Sequence, residues 1–166
     1  MTELLRDPER YRPNVGLAMF SKAGHVFFGR RINGRGPFQW QMPQGGVDEG
    51  ETPAEAALRE LEEEIGVPRK LVDILQETDD WLYYDFPPDL KRRLGGPYLG
   101  QRQKWFALRF KGSDGDVRLD KHTPEFDAWR WAELAEAPEL IVPFKRPVYE
   151  EVTRRFAPWS EPISAG

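Results

Sequence analysis

Glu60, Glu63 and Glu64 are the residues of this chain whose types and spacing most clearly indicate chemistry. In a helix, with about 100° between successive residues, positions 60 and 64 lie one turn apart and position 63 lies beside them. Carboxylates crowded in this way repel one another at neutral pH, and a hard divalent cation relieves the repulsion. Because oxygen ligands suit Mg²⁺, with Mn²⁺ as a possible substitute, the cluster predicts a magnesium site. The alternative is a solvated acidic helix face.

The residues around the glutamates predict that they lie on a helix. Thr52 to Glu55 have the sequence of a capping box, in which each end residue satisfies a backbone N–H of the other. Pro suits the first helical position, and Gly66 suits a C-terminal stop. The helix is therefore predicted from about Pro53 to about Ile65. Its buried stripe is predicted to hold Ala54, Leu58, Leu61 and Ile65, with the glutamates beside the stripe and not on it.

The helix belongs to a longer pattern that covers residues 45–67. Gly45 is followed after five residues by Glu51, and Glu51 after seven residues by Arg-Glu-Leu-Glu-Glu-Glu-Ile-Gly-Val. Every position of the Nudix box is matched, so the chain resembles the Nudix hydrolases. The resemblance implies an α/β Nudix fold, a mixed β-sheet sandwiched between helices (α/β/α), and metal-dependent hydrolysis of phosphoanhydride bonds. Within the box it assigns metal binding and catalysis to Glu60, Glu63 and Glu64.

Other residues of the box are predicted to have structural roles. Arg59 is a cation among carboxylates, and we expect it to pair with Glu51 or a neighbour and hold the preceding loop. Gly45 and Gly46 are expected to permit a tight backbone turn before the helix, as Gly66 does after it.

The resemblance extends beyond the box to a particular branch of the family. Matching segments look like bacterial RNA pyrophosphohydrolases, whose close relatives are dinucleoside polyphosphate hydrolases. That resemblance implies removal of pyrophosphate from the 5′-triphosphate end of RNA, leaving a 5′-monophosphate, by attack of water on a Mg²⁺-bound polyphosphate. The matching segments are Tyr11 to Gly16, Trp40 to Gly46, Gly100 to Phe106, Pro124 to Asp127, Trp129 to Trp131, Phe144 to Arg146, and Val148-Tyr149.

Several residues outside the box are candidates for the site. The branch resemblance implies that Glu125 supplies a further carboxylate, which binds metal or helps to activate water. Arg12, Arg31 and Lys145 lie in matching segments, and cations there would neutralise phosphate oxygens. Arg30 should point away from Arg31 if both lie on one strand. A base next to the 5′ end would stack on an aromatic ring, for which Tyr83 and Tyr84 are candidates; the alternative is that both belong to the core.

The basic segment from Pro87 to Gln103 bears on the choice of substrate. It reads as a long loop or a helix fragment flanked by loop, and long loops in compact domains are often functional. Its cations favour RNA over diadenosine polyphosphates, because a small nucleotide needs no such extended surface. An enzyme that hydrolyses free nucleotides is less favoured. An inactive Nudix binding module is disfavoured because Glu60, Glu63 and Glu64 are all present. The cations of the segment are Lys91, Arg92, Arg93 and Arg102.

Length and composition limit the remaining possibilities. The chain has 166 residues, a length typical of one domain, so residues 1–166 are predicted to form a single domain with its own core. A net charge of −4 argues against bulk electrostatic capture of nucleic acid, and the absence of cysteine excludes thiolate chemistry. No signal peptide or membrane span is recognisable, so we expect a cytoplasmic enzyme without a membrane partner. The tail from about Ala157 is predicted to be frayed.

Hydrophobic patterning predicts several strands and a second helix. That helix is predicted to begin near Pro143 to Pro147, with an apolar stripe of Val148, Val152 and Phe156. A hairpin turn is predicted at Ser21 to Gly24. The predicted strands are Val15 to Phe20, His25 to Ile32, Phe38 to Pro43, Leu71 to Glu77, Trp81 to Phe86, Lys104 to Lys111, and Phe126 to Trp131.

Overall fold

A computed structural model describes residues 6–163, which form a mixed β-sheet with helices on both faces. The strands are β1 (Tyr11–Phe20), β2 (Val26–Arg31), β3 (Trp40–Gln41), β4 (Gln44–Gly46), β5 (Val72–Glu77), β6 (Leu82–Asp85), β7 (Gly100–Phe110) and β8 (Phe126–Ala132). The helices are α1 (Pro53–Ile65), α2 (Pro88–Leu94), α3 (Ala137–Leu140) and α4 (Arg146–Phe156). Short 3₁₀ turns connect several of them.

The centre of the sheet is a parallel pair, β1 and β7. The two strands are in register from Tyr11 opposite Gly100 to Phe20 opposite Arg109. β2 and β4 pair antiparallel with β1, whereas β5 and β6 pair antiparallel with β7. β3 and β8 extend the sheet from β2. Strands buried on both faces read as continuous apolar runs, which explains why Val15 to Phe20 does not alternate.

Each face of the sheet packs against a different helix. Because side chains alternate along a strand, Trp105 and Ala107 of β7 face α4, whereas Phe106 and Leu108 face α1. Val148, Tyr149, Val152 and Phe156 of α4 cover one face, and Ala57, Leu61 and Ile65 of α1 cover the other. This arrangement confirms the predicted α/β/α fold.

The ends of α1 are those that the sequence predicted. The Thr52 side chain accepts a hydrogen bond from the Glu55 backbone N–H at 3.1 Å, and the Glu55 carboxylate accepts from the Thr52 N–H at 2.9 Å. Gly66 ends the helix at φ 71°, in the left-handed region that glycine tolerates best. These local hydrogen bonds fix where the helix begins and ends, and hence the positions of its glutamates.

We expect Thr52→Ala to lower the free energy of unfolding by about 1 kcal/mol, because it removes the side-chain acceptor of the N-cap. The glutamates lie farther along the helix, so activity measured below the melting transition should be largely retained. Chemical denaturation of parent and variant, with initial rates at a common temperature, checks both statements. An unchanged denaturation midpoint would show that the cap contributes nothing to stability.

The predicted buried stripe of α1 needs correction. Leu61 and Ile65 are fully buried as expected, but Ala54 and Leu58 are only half-buried. Glu64, predicted to lie beside the stripe, is instead 9% exposed and belongs to the buried face. The buried face of the helix is therefore rotated about the helix axis relative to the predicted stripe, so that a carboxylate enters the protein.

The basic segment 87–103 contains a helix fragment, which was one of its two predicted forms, but its last residues are not loop. Pro88–Leu94 forms α2, and the residues that follow it lead into β7, which begins at Gly100. Arg102, predicted to lie in a loop, is therefore a strand residue, and its guanidinium lies 4.3 Å from the centroid of the Trp81 ring. The pairing of Tyr83 with Arg102 across β6 and β7 extends the sheet into a segment whose glycines suggested a loop.

The prediction of a frayed tail from Ala157 was wrong for the residues that the structure describes. Ala157–Ser160 forms a 3₁₀ turn, and the Trp159 indole N–H donates to the Gln76 side chain at 2.9 Å. The Ile163 backbone N–H donates to the Lys22 carbonyl at 2.8 Å. The large aromatic ring of Trp159 anchors this segment. The last residues of the predicted tail, 164–166, lie outside the described part of the chain. Within residues 6–163, no helix has the length and apolar character needed to span a bilayer.

Candidate active site

The Nudix-box residues meet at a polar cavity of about 490 Å³, here called the carboxylate cavity. β4 forms one wall and α1 another, and the residues before β8 complete it. The Glu125 carbonyl accepts from the Ile32 backbone N–H at 3.0 Å, which fixes this segment beside the end of β2. The cavity brings together the predicted residues Glu60, Glu64, Glu125, Arg12, Arg31, Gly45 and Gly46.

Glu63 lies on the rim of the same region. A smaller adjoining cavity of about 270 Å³ is lined by Glu63 together with Glu60, Glu64 and Glu125. His122, which the sequence did not single out, lines it too, and its ring N lies 3.3 Å from Glu62. The four predicted metal ligands therefore share one connected space, although Glu125 lies far from the box in the sequence.

Arg59 ties the box together. Its guanidinium donates to Glu51 at 2.8 and 2.9 Å, to Glu60 at 2.9 Å, and to Glu63 at 3.2 Å. A fifth bond, at 2.8 Å, goes to the Gly46 carbonyl in β4. Arg59 thus links the helix, the loop and the strand, and its own pKa is raised by these acidic partners, Glu51 first.

The carboxylates are not gathered into a ready-made ligand set. Among residues 6–163, no three His, Cys, Asp or Glu side chains lie at separations suited to one metal ion. Two of the predicted metal ligands, Glu60 and Glu63, point to the Arg59 guanidinium instead. Nevertheless the donor atoms suit a hard cation, because the Glu64 Oε2 is buried without a hydrogen-bond partner in the described residues. Small rotations of Glu60 and Glu63 would add their oxygens to the same space.

Burial and the proximity of like charges disfavour the ionised forms of two carboxylates in this cavity. Burial raises the pKa of Glu64 well above its usual value, and the nearby Glu60 and Glu125 raise it further. Burial also raises the pKa of Glu60, although Arg59 opposes the effect. A cation in the cavity would stabilise both ionised carboxylates, so the residues present fit a divalent metal.

The glycines of β4 have a different role from the predicted one. Neither Gly45 nor Gly46 has a positive φ, so no turn requires them. A Cβ at Gly45 would lie 2.0 Å from the Glu60 carboxyl carbon, and one at Gly46 would lie 2.9 Å from the Arg12 guanidinium. A glycine suits each of these positions because the Glu60 and Arg12 side chains pass directly over the strand.

A second cavity of about 710 Å³, here called the side cavity, adjoins the first. The two share the side chains of Arg12, Arg31, Gln44 and Gln101 as walls, so they form one continuous depression. Its other walls are α2, the residues after α2, and the segment before α4. The apolar and aromatic lining residues are Tyr84, Phe86, Leu90, Leu94, Pro97, Tyr98, Val142 and Phe144.

The side cavity is strongly cationic. Arg12, Arg31, Arg93 and Lys145 line it, and no Asp or Glu among the described residues does. Lys145 is half-buried and donates to the Gln44 side chain at 3.2 Å. Burial and, to a smaller extent, the charge of the neighbouring Arg31 together lower the pKa of Lys145 to about 8. An anion in this cavity would stabilise the charged form of Lys145.

The structure separates the two candidate tyrosines. Tyr84 lines the side cavity, and its hydroxyl donates to Gln101, although most of its ring is buried. Tyr83 lies outside both cavities, edge-on to Tyr11 with the ring centroids 5.0 Å apart. Neighbouring residues of a strand face opposite sides of the sheet, so only one of the pair could reach the cavity.

Arg30 and Arg31 also point in different directions. The Arg30 guanidinium donates to the Asp127 carboxylate at 2.8 Å, away from the cavities, whereas Arg31 lines both of them. The pairing of β2 with β8 shifts in register between these two residues.

Sequence reasoning missed several lining residues. Gln44, Gln101 and Phe144 lie in segments that matched the family, but none of the three was chosen as a candidate. Gln44 contacts both ends of the site, because it lines both cavities and its side chain accepts from Lys145. Polar uncharged residues gave no signal of their own in the sequence.

Comparison with known proteins agrees with this geometry. A model of the NUDIX domain matches residues 10–152. The chain belongs to the NUDIX family. It is 56% identical over 151 residues to the RNA pyrophosphohydrolase of Acidiphilium cryptum, covering 89% of this chain and 90% of that protein. It is 52% identical over 156 residues to the RNA pyrophosphohydrolase of Rhodospirillum rubrum, covering 93% and 92%. The resemblance to this Nudix branch is therefore confirmed.

Solved structures confirm the Nudix fold. The E. coli dihydroneopterin triphosphate pyrophosphohydrolase superposes with a TM-score of 0.68 at 20% identity, covering 87% of this chain and 98% of that one. A C. elegans Ap4A hydrolase complex superposes with a TM-score of 0.60, also at 20% identity, covering 87% and 98%. At this level of identity, the likeness concerns the fold and not the substrate.

Proposed function

We propose that this chain is a Nudix hydrolase that removes pyrophosphate from the 5′-triphosphate end of RNA and leaves a 5′-monophosphate. The observation that carries the proposal is the continuous depression, acidic at one end and cationic at the other. A polyphosphate binds such a site with its reacting phosphates among the carboxylates and its remaining charge among the cations. The relatives named RNA pyrophosphohydrolase, at 51 to 56% identity, support the same activity.

Magnesium is the proposed cofactor, held by Glu60, Glu63, Glu64 and Glu125, with manganese as a possible substitute. When bound, the metal neutralises phosphate oxygens and activates water for attack on phosphorus. The carboxylates hold the cation, and Arg59 fixes the helix relative to β4. Any of the glutamates that is not occupied by the cation can accept the proton that the water loses.

The cationic residues are proposed to bind and orient the polyphosphate. Arg12 and Arg31 line both cavities, so their guanidinium groups can reach phosphate oxygens on either side of the cleaved bond. Lys145, held by Gln44, contributes a charge from the opposite wall. Tyr84 and Phe144, whose ring centroids are 5.7 Å apart, offer apolar surface to the base that follows the phosphates.

Diadenosine polyphosphates are the alternative substrates. They present a similar phosphate chain, and the side cavity would accept one adenosine in the place of the first nucleotide of RNA. A binding module without activity is disfavoured, because the four acidic side chains all line the same connected space.

A product assay tests the proposal directly. With Mg²⁺ present, the parent enzyme should convert triphosphorylated RNA to monophosphorylated RNA and pyrophosphate, with a higher kcat/KM than for diadenosine tetraphosphate or free nucleoside triphosphates. Chelation of divalent metal should abolish the reaction, because the carboxylates bind phosphate only through a cation. Faster turnover of diadenosine tetraphosphate than of RNA would reverse the assignment. Release of single phosphates would indicate a different bond specificity.

A further inference from the structure

α2 divides the cations of segment 88–94 into two groups. Leu90, Arg93 and Leu94 line the side cavity, whereas Lys91 and Arg92 do not. Positions 90, 93 and 94 share one helix face because side chains three and four residues apart are neighbours. Arg92 instead pairs with Asp89 in the preceding turn. The cations that looked equivalent in the sequence therefore face different surroundings.

Arg93 has its charge available to a ligand. No hydrogen bond or ion pair to it is found among residues 6–163, and its side chain is exposed at the mouth of the side cavity. α2 ends directly after it, at Gly95 with φ 63° and Gly96 with φ 78°, which turn the chain away. Arg93 lies in the last helical turn, where a cation is favoured by the helix dipole.

The position of Arg93 differs from that of the other cations of the cavity. Arg12 and Arg31 also line the carboxylate cavity, and Lys145 contacts Gln44 between the two cavities. Arg93 lines the side cavity alone, beside the apolar side chains of Leu90 and Leu94. With a polyphosphate bound at the carboxylates, Arg12, Arg31 and Lys145 would neutralise its charge, and Arg93 would remain for a more distant part of the substrate.

We infer that Arg93 binds a phosphodiester group of the RNA chain downstream of its first nucleotide and so makes the enzyme prefer polynucleotides. The inference rests on the proposed function. RNA carries a phosphodiester after every nucleotide, but a nucleoside triphosphate or a dinucleoside polyphosphate carries none. A guanidinium at the exit therefore adds affinity only for the polymer. Exposed Leu94 next to it offers apolar surface for the adjoining sugar or base.

The test compares Arg93→Gln with Arg92→Gln, a matched variant that removes the same charge from the same helix. Steady-state kinetics are measured on triphosphorylated RNA of one, two, three and ten nucleotides and on diadenosine tetraphosphate. Arg93→Gln should lower kcat/KM on the longer RNAs on the order of tenfold, the effect of losing one charge-assisted contact. The slope of log(kcat/KM) for the longer RNAs against log[salt] should become shallower by about one, because one counterion fewer is released on binding. The single nucleotide and diadenosine tetraphosphate should change less than about twofold, and Arg92→Gln should resemble the parent on every substrate.

Several outcomes would overturn the inference. Equal losses by Arg93→Gln on RNA and on diadenosine tetraphosphate would place Arg93 on the polyphosphate itself. Parent-like turnover of long RNA by Arg93→Gln would remove it from the substrate altogether. Denaturation midpoints of both variants separate these results from misfolding. Arg93→Lys, which keeps the positive charge, serves the same purpose. Failure of the proposed function is distinct, because the parent enzyme itself would then not convert triphosphorylated RNA.

Discussion

Replacing Glu64 by Gln is expected to lower kcat for pyrophosphate release by at least ~10²-fold, the effect of losing a preorganised electrostatic group. The change keeps the size of the side chain and removes its charge. Glu64 is 9% exposed, and its Oε2 has no hydrogen-bond partner among residues 6–163. An amide there offers the cation a weaker ligand, and its nitrogen turns a donor toward the site. Glu63→Gln, on the rim, should show a loss of the same order.

The fold of the Glu64→Gln variant should remain intact. A neutral amide removes a charge whose burial disfavours the folded state, so the free energy of unfolding should be unchanged or higher. Glu62→Gln is the matched control, because Glu62 pairs with Lys121 at 3.1 Å and lines neither cavity. Initial rates at saturating Mg²⁺ and denaturation curves are measured for the parent, Glu64→Gln and Glu62→Gln. They show whether activity is lost while the fold is kept. Near-normal turnover by Glu64→Gln would count against the metal site.

Gly45→Ala is expected to lower kcat by about 10²-fold as well, for a geometric reason. The new methyl group would lie 2.0 Å from the Glu60 carboxyl carbon and 2.2 Å from its Oε2. β4 has little freedom to retreat, since Gly45 is paired with Val15 of the central strand. The Glu60 carboxylate must therefore swing away, and it loses its 2.9 Å contact with Arg59.

Stability should respond far less than activity to Gly45→Ala. The group that has to move is the end of a flexible side chain. The loss in free energy of unfolding should therefore be at the lower end of the ~1–3 kcal/mol typical of overpacking. Gly115→Ala is the control, because a Cβ there meets nothing within 4 Å. A parent-like kcat for Gly45→Ala, with the fold preserved, would show that Glu60 acts equally well from a displaced position.

The parts of the structure that sequence reasoning predicted are those determined by local chemistry. Thr52, Pro53 and Gly66 fix the ends of α1 by hydrogen bonds and backbone preferences within one turn. The box glutamates are consequently placed on the correct helix. Burial of Glu64 was missed because its neighbours come from β4 and from the segment that holds Glu125, which helical periodicity cannot show.

The side cavity could not be predicted because its walls are far apart in the sequence. Lys145 contacts Gln44 across 101 residues, and only the folded chain brings them together. Arg93 was grouped with Lys91 and Arg92 because the segment read as a possible loop, in which helical spacing gives no faces. The composition of the tail predicts fraying, whereas Trp159 packs against the core and hydrogen-bonds to Gln76 of β5.

The parallel pairing of β1 with β7 has a consequence for how the protein is made. Asn14 and Gln103, which are hydrogen-bonded in this pair, are 89 residues apart. During translation the apolar β1 leaves the ribosome long before its partner exists, and Lys145 follows later still. We therefore expect activity to arise only after β7 and Lys145 have both left the ribosome.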